Sequence, residues 1–174
     1  MQADLSPVIA ATAQWLTRAY PAPGGALASA LCEAQARQAV TVAAWLCYPT
    51  SMDAGLVELA GPGGSARLDG VAGAGPYREE DAWRTWVDEV VASWAACLLT
   101  DPELARLAAA AVGEGEHLAG APVEFRRLVA PDGRDQGAAA LLRHPDLVAP
   151  VAELHRARLL DVLDQREPRE PLVA

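Results

Sequence analysis

Glu79-Glu-Asp-Ala-Trp-Arg-Thr-Trp-Val-Asp-Glu-Val-Val-Ala-Ser-Trp-Ala-Ala-Cys-Leu-Leu99 carries three of the chain's five tryptophans, in a sequence with a single phenylalanine. On a helix that turns about 100° per residue, Trp83, Trp86, Val87, Val90, Val91, Trp94, Cys97 and Leu98 fall within an arc of about 140°. Asp81, Arg84, Thr85, Asp88 and Glu89 fall outside it. The spacing predicts one amphipathic helix over the whole stretch, opened by acids that suit the positive end of the helix dipole. Trp83 and Trp94 sit near the middle of the apolar arc and read as core. Trp86 sits at its edge, about 60° from Trp83, where an indole rests on apolar neighbours and turns its N–H to water or a partner. That makes Trp86 the candidate partner-binding residue.

The same reading extends outward. Thr100-Asp-Pro-Glu103 starts the next helix, with Asp101 as cap, Pro102 in the first position and Leu104, Leu107, Ala108 and Ala111 as its buried side. Upstream, Ser6-Pro7 reads as a cap followed by an N-terminal proline, and apolar residues at helical spacing run from Leu5 to Ala19. Pro21-Ala-Pro-Gly-Gly25 breaks the chain. A second helix is expected from Ala26 to Tyr48, polar only along Ser29, Glu33, Arg37 and Thr41, and therefore contacted from several sides. Downstream, Val123 to Ala130 reads as a short strand or helix, Pro131-Asp-Gly133 as a turn, Leu141 and Leu142 as part of a short helix, and Pro150 to Gln165 as the last helix.

The glycine-rich segment from Thr50 to Pro76 is the least legible. Leu56-Val-Glu-Leu59 and Ala66-Arg-Leu-Asp69 flank Gly61-Pro-Gly-Gly64, so a small β-hairpin around residues 56–69 competes with an irregular loop. The fold expected is all-α: a single compact bundle of five or six helices over residues 1–165, with that hairpin as its only β element. Residues 166–174, polar and interrupted by proline, are expected to form a loose tail.

Composition narrows the functional classes. A chain of 174 residues, 52% hydrophobic, is long enough for one domain with a sizeable core. A formal net charge of −9 with no segregated basic patch argues against nucleic acid and anionic membrane as partners. The chain contains no lysine, so each arginine carries less information about anion recognition than usual. No basic and apolar leader opens the sequence, and the uncharged run from Gln38 to Met52 is too short for a bilayer, so a cytoplasmic protein is expected. Cys32, Cys47 and Cys97, odd in number and without Cys-x-x-Cys spacing, read as reduced thiols.

Three constellations invite chemistry. In the last helix His155 and Arg158 project among Val151, Leu154, Leu159 and Val162, on a face that otherwise reads as core. Either an acid on another helix opposes them, or the helix packs along one edge and leaves them exposed, or they line a cleft for a small acidic ligand or a carboxylate-bearing partner, held by a titratable donor and a fixed fork. Glu114 and His117 have the spacing of a di-iron carboxylate–histidine pair, but only one such pair exists and it lies among glycines, so no metal is expected. The glycine groups lack the Gly-Lys-Ser/Thr of a phosphate loop and the order of a dinucleotide fingerprint, so no cofactor is expected. Cys32 and Cys97 read as core. Cys47 closes its helix, where the dipole raises a thiol pKa, and no nucleophile elbow is present, which disfavours an enzyme. The expectation is a non-enzymatic helical module that binds a protein partner, or itself, through an apolar helix face edged by Trp86. The alternative is a site for a small acidic ligand, sensing or catalytic, at His155 and Arg158.

Overall fold

A computed structural model describes residues 4–75, 78–118 and 124–166. These residues are helical and contain no β-strand. Helix α1 (Ser6–Ala19) carries Pro7 in its first turn; its N-cap position is Leu5, not Ser6, and Asp4 Oδ1 accepts the Ser6 amide at 2.9 Å. Helix α2 (Ala26–Cys47) stops one residue before Tyr48. Ser29, Glu33 and Arg37 are exposed, whereas nine of its residues, from Cys32 to Leu46, are buried. It packs against α1 and against several elements that follow, as a helix with so narrow a polar stripe must.

No hairpin forms over residues 56–69. Helices α3 (Ser51–Ala60) and α4 (Ala66–Ala72) take its place, joined by the glycine group. The physical reason is local: Thr50 and Asp53 make a reciprocal capping box, which satisfies two amides at the start of α3 and outweighs Gly55 within it. All that remains of β pairing is an isolated antiparallel bridge between Gly63 and Asp88.

The tryptophan-rich stretch is not one helix. A 3₁₀ segment, Glu79–Trp86, ends at Val87, whose backbone is extended at φ −71° and ψ 133°. Helix α5 (Glu89–Thr100) then begins afresh under the cap of Asp88, whose carboxylate accepts the Val91 amide at 2.9 Å. The break changes what is inside. Every α5 residue from Val91 to Leu99 is buried, so α5 is a central rod packed on α2, α10 and α6 rather than a one-sided helix. Asp81 and Asp88, expected outside, are buried, and Trp83, expected in the core, is only half-buried. Trp94 is core as expected, at 1% exposure.

Helix α6 (Pro102–Gly113) follows directly, with Asp101 accepting the Glu103 and Leu104 amides at 3.1 Å each. Leu104 and Ala108 are buried on it, but Leu107 faces out. A 3₁₀ turn (Glu116–Leu118) precedes the short helices α7 (Arg126–Val129), α8 (Gly133–Ala138) and α9 (Ala140–Arg143). The turn at Pro131-Asp-Gly133 serves as the N-terminus of α8, where Asp132 and Asp135 form a second capping box.

The last helix is two: α10 (Pro145–Ala152) and α11 (Arg156–Arg166), separated at Glu153–His155. Ser93 of α5 explains the separation, because its hydroxyl donates to the Ala152 carbonyl and accepts the His155 amide, both at 3.0 Å. The helices are therefore more numerous and shorter than the five or six expected. The predicted tail beyond Arg166 lies outside the described residues. None of the described helices is long and apolar enough to cross a membrane.

Candidate functional site

Helix α3 has an unusual orientation for an amphipathic helix. Ala54 is its one buried residue, while Met52, Leu56 and Leu59 are 75%, 59% and 86% exposed. Positions 52, 56 and 59 share one face, so the apolar stripe points to solvent. At its end Gly61, Gly63 and Gly64 adopt φ of 75°, 100° and 87°, a region that residues with a Cβ rarely enter. These turns bring the chain back against the 3₁₀ segment, where the Gly64 amide donates to the Val87 carbonyl at 3.1 Å. Between the end of α3 and the 3₁₀ segment lies a cleft of about 680 Å³, bordered by Leu59, Gly61, Gly64, Asp69, Arg84 and Trp86.

Two charged groups of this cleft, Asp69 and Arg84, pair with each other, whereas Glu58 on its rim forms no ion pair with any other described residue and the buried Arg84 Nε has no hydrogen-bond acceptor. Asp69 accepts the Trp15 indole N–H at 2.8 Å, the Ser65 hydroxyl at 2.7 Å and the Arg84 guanidinium at 2.6 Å. Asp81 holds Arg18 at 3.1 Å and lies 3.6 Å from Arg84 Nε. Both guanidinium groups lie over the Trp83 ring, 4.9 Å from its centroid for Arg18 and 5.3 Å for Arg84. An anion approaching Arg84 would have to compete with Asp69 for its guanidinium. Most of the surface that remains open is apolar, and that suits a side chain of a partner more than a small anion.

Asp88 links three elements behind this wall. It accepts the Tyr48 hydroxyl, caps α5, and its own amide donates to Thr12 Oγ of α1 at 3.1 Å. Burial pushes the Tyr48 hydroxyl up, and the Asp88 carboxylate pushes it further. The adjacent Cys47 thiol is pushed up to about 12 by burial and by Asp88, against a smaller opposing pull from Arg158. Burial likewise raises Cys32 and Cys97. Each of the three thiols is therefore protonated near neutrality and a poor nucleophile.

The acid opposite His155 is Glu89, at the start of α5. Its Oε1 lies 2.7 Å from His155 Nε2 and 3.1 Å from the Arg67 guanidinium. The His155 carbonyl also accepts the Trp94 indole N–H at 3.0 Å, which fixes the turn between α10 and α11. Arg158 is exposed and lies over the Trp94 ring at 5.9 Å. His155 and Arg158 thus contact different groups, and neither borders the cleft. Trp86 does border it, half-buried.

Glu114 and His117 also diverge. His117 Nε2 lies 2.6 Å from the Tyr48 carbonyl and its ring stacks on Trp45, with centroids 5.6 Å apart. Among the described residues, no group of three or more His, Cys, Asp and Glu side chains is placed to hold a metal ion.

Sequence reasoning missed the α3 stripe. Its signal was present, since Met52, Leu56 and Leu59 have helical spacing after a Thr50-x-x-Asp53 cap, but the surrounding glycines favoured a turn-based reading. Comparison of the chain with protein-family models, with curated proteins and with solved structures found no match.

Proposed function

We propose that this chain is a non-enzymatic protein-binding module, whose docking surface is the outward face of α3 continued by the cleft at Trp86. The observation that carries the reading is the orientation of α3, with Met52, Leu56 and Leu59 in water and Ala54 alone buried. Aligned side chains of this size exposed on one helix are the mark of a surface that is covered in use. The half-buried indole of Trp86 beside Leu59 adds the kind of residue that dominates interface energetics. The Asp69–Arg84 pair supports the reading, because it already neutralises the strongest charges of the cleft wall. An acidic ligand at His155 and Arg158 has less support, since Glu89 already engages His155 and Arg158 is directed elsewhere.

The test is a triple variant, M52E/L56E/L59E, compared with the native chain. The native protein should bind the neutral apolar dye Nile red, and the variant should bind measurably less of it with its melting temperature unchanged. A native chain that stays monomeric and binds no dye, or a variant that melts several degrees lower, would show that the stripe is packed and overturn the proposal.

A further inference from the structure

A second apolar surface lies away from α3, where α11 packs beside α6. The two helices leave a groove of about 810 Å³ between them. Leu104 and Leu163 form its floor, at 6% and 8% exposure, and Leu107 and Leu160 stand on its two walls, at 50% and 42%. Leu104 and Leu107 are three apart on α6, and Leu160 and Leu163 three apart on α11, so each helix offers the groove one buried and one open leucine.

The rim is acidic. Glu114, Asp161 and Asp164 border the groove, are exposed, and form no ion pair with any other described residue; Arg166 is the cation beside them. In the Trp86 cleft, by contrast, Asp69 and Arg84 pair with each other and Glu58 is a single unpaired carboxylate among the described residues, against three here.

We infer that the α6–α11 groove is a docking site for a basic amphipathic helix from another protein. Alpha-helices of about twelve residues are about 18 Å long, which accommodates three turns of a partner laid along them. Leucines at helical spacing on that partner fill the space between Leu107 and Leu160, and arginines or lysines flanking them meet the three carboxylates that no other described residue pairs. A second copy of this chain fits badly: its exposed apolar helix, α3, brings Asp53 and Glu58 to an acidic rim, and each chain carries a net charge of −9.

The probe is a synthetic fourteen-residue helix with leucine at positions i, i+4, i+7 and i+11 and arginine, alanine and glutamine elsewhere, titrated calorimetrically into the full chain. Binding should weaken about tenfold or more in L107E/L160E, whose leucines are exposed and whose fold should survive, as circular dichroism would verify. It should weaken severalfold in E114Q/D161N/D164N and with added salt, and remain unchanged in M52E/L56E/L59E.

Four results overturn the inference. The peptide fails to bind; a composition-matched peptide with scrambled leucines binds equally well; L107E/L160E leaves the affinity unchanged; or the α3 variant abolishes binding that the groove variant spares. Two others assign a different occupant and overturn it as well: L172E/V173E in the full chain opens the groove to a peptide that the native chain rejects, or the native chain is dimeric and L107E/L160E makes it monomeric.

Discussion

Asp88 is where the helix predicted over Glu79–Leu99 breaks, and replacing it tests why. In Asp88→Ala, α5 loses the carboxylate that accepts the Val91 amide, a capping loss of about 1 kcal/mol. The Tyr48 hydroxyl loses its acceptor in a half-buried position, at about 1–3 kcal/mol. The bond from the Asp88 amide to Thr12 involves backbone and survives. The sum is about 2–4 kcal/mol, a large share of the roughly 5–15 kcal/mol that holds a domain folded. Asp88→Asn keeps a cap of equal quality and should cost less, about 1 kcal/mol, through the weaker bond to Tyr48. Urea unfolding followed by circular dichroism measures each value, with an unchanged slope as the sign that the unfolded state is not altered. A double-mutant cycle with Tyr48→Phe should give a coupling of about 1–2 kcal/mol. The reasoning fails if Asp88→Ala costs less than about 1 kcal/mol, or if the two substitutions add with no coupling.

Three further outcomes follow from the same structure. Cys47, Cys32, Cys97 and Tyr48 all keep their protons to higher pH when folded than when unfolded. The native state then binds more protons, so stability should fall as pH rises from about 9, the ordinary value for a thiol, toward the value of about 12 at Cys47; urea midpoints between pH 8 and 11 check the direction. On the acid side, burial raises Asp135, but the Asp132 amide and Arg127 more than offset it and leave the carboxyl below its ordinary 3.8. Its contribution is present above 3.8 and lost as pH falls through the lower folded value, and Asp135→Asn should flatten that acid limb while costing about 1.5–3 kcal/mol at pH 7. Gly64→Ala should cost about 1–2 kcal/mol in a thermal melt, because φ there is 87° although a Cβ would stand 3.5 Å from the nearest atom, the Arg84 carbonyl oxygen.

The boundaries that proline and capping residues mark were legible from the chain itself. Pro49, Asp101-Pro102 and Pro131-Asp-Gly133 each fall at a helix boundary, and α2 shows the narrow polar stripe that its spacing implies. The break at Val87 and Asp88 was not legible. No glycine or proline marks it, and the groups that hold Asp88 extended, Thr12 and Tyr48, are distant in sequence. Buried Asp81, Asp135 and Gln35 were hidden for a related reason. Each is satisfied by a partner that periodicity does not register: Arg18 for Asp81, Arg127 for Asp135, and the Asp135 carbonyl for Gln35. Of the site residues, Trp86 lies at the edge of its cleft, whereas the face shared by His155 and Arg158 was divided by Ser93, which separates α10 from α11.

The indoles also differ in what anchors them. Trp15 and Trp94 are 1% exposed and donate their N–H groups to Asp69 and to the His155 carbonyl, whereas Trp86 borders open space at the cleft. Two chromophores are thus sealed in fixed surroundings, while Trp45, Trp83 and Trp86 are half-buried. The chain therefore offers an optical gauge that Trp86→Phe isolates: an occupant at the cleft should move the emission to shorter wavelength in the native chain and not in that variant, while the sealed pair keeps its colour until the molecule comes apart.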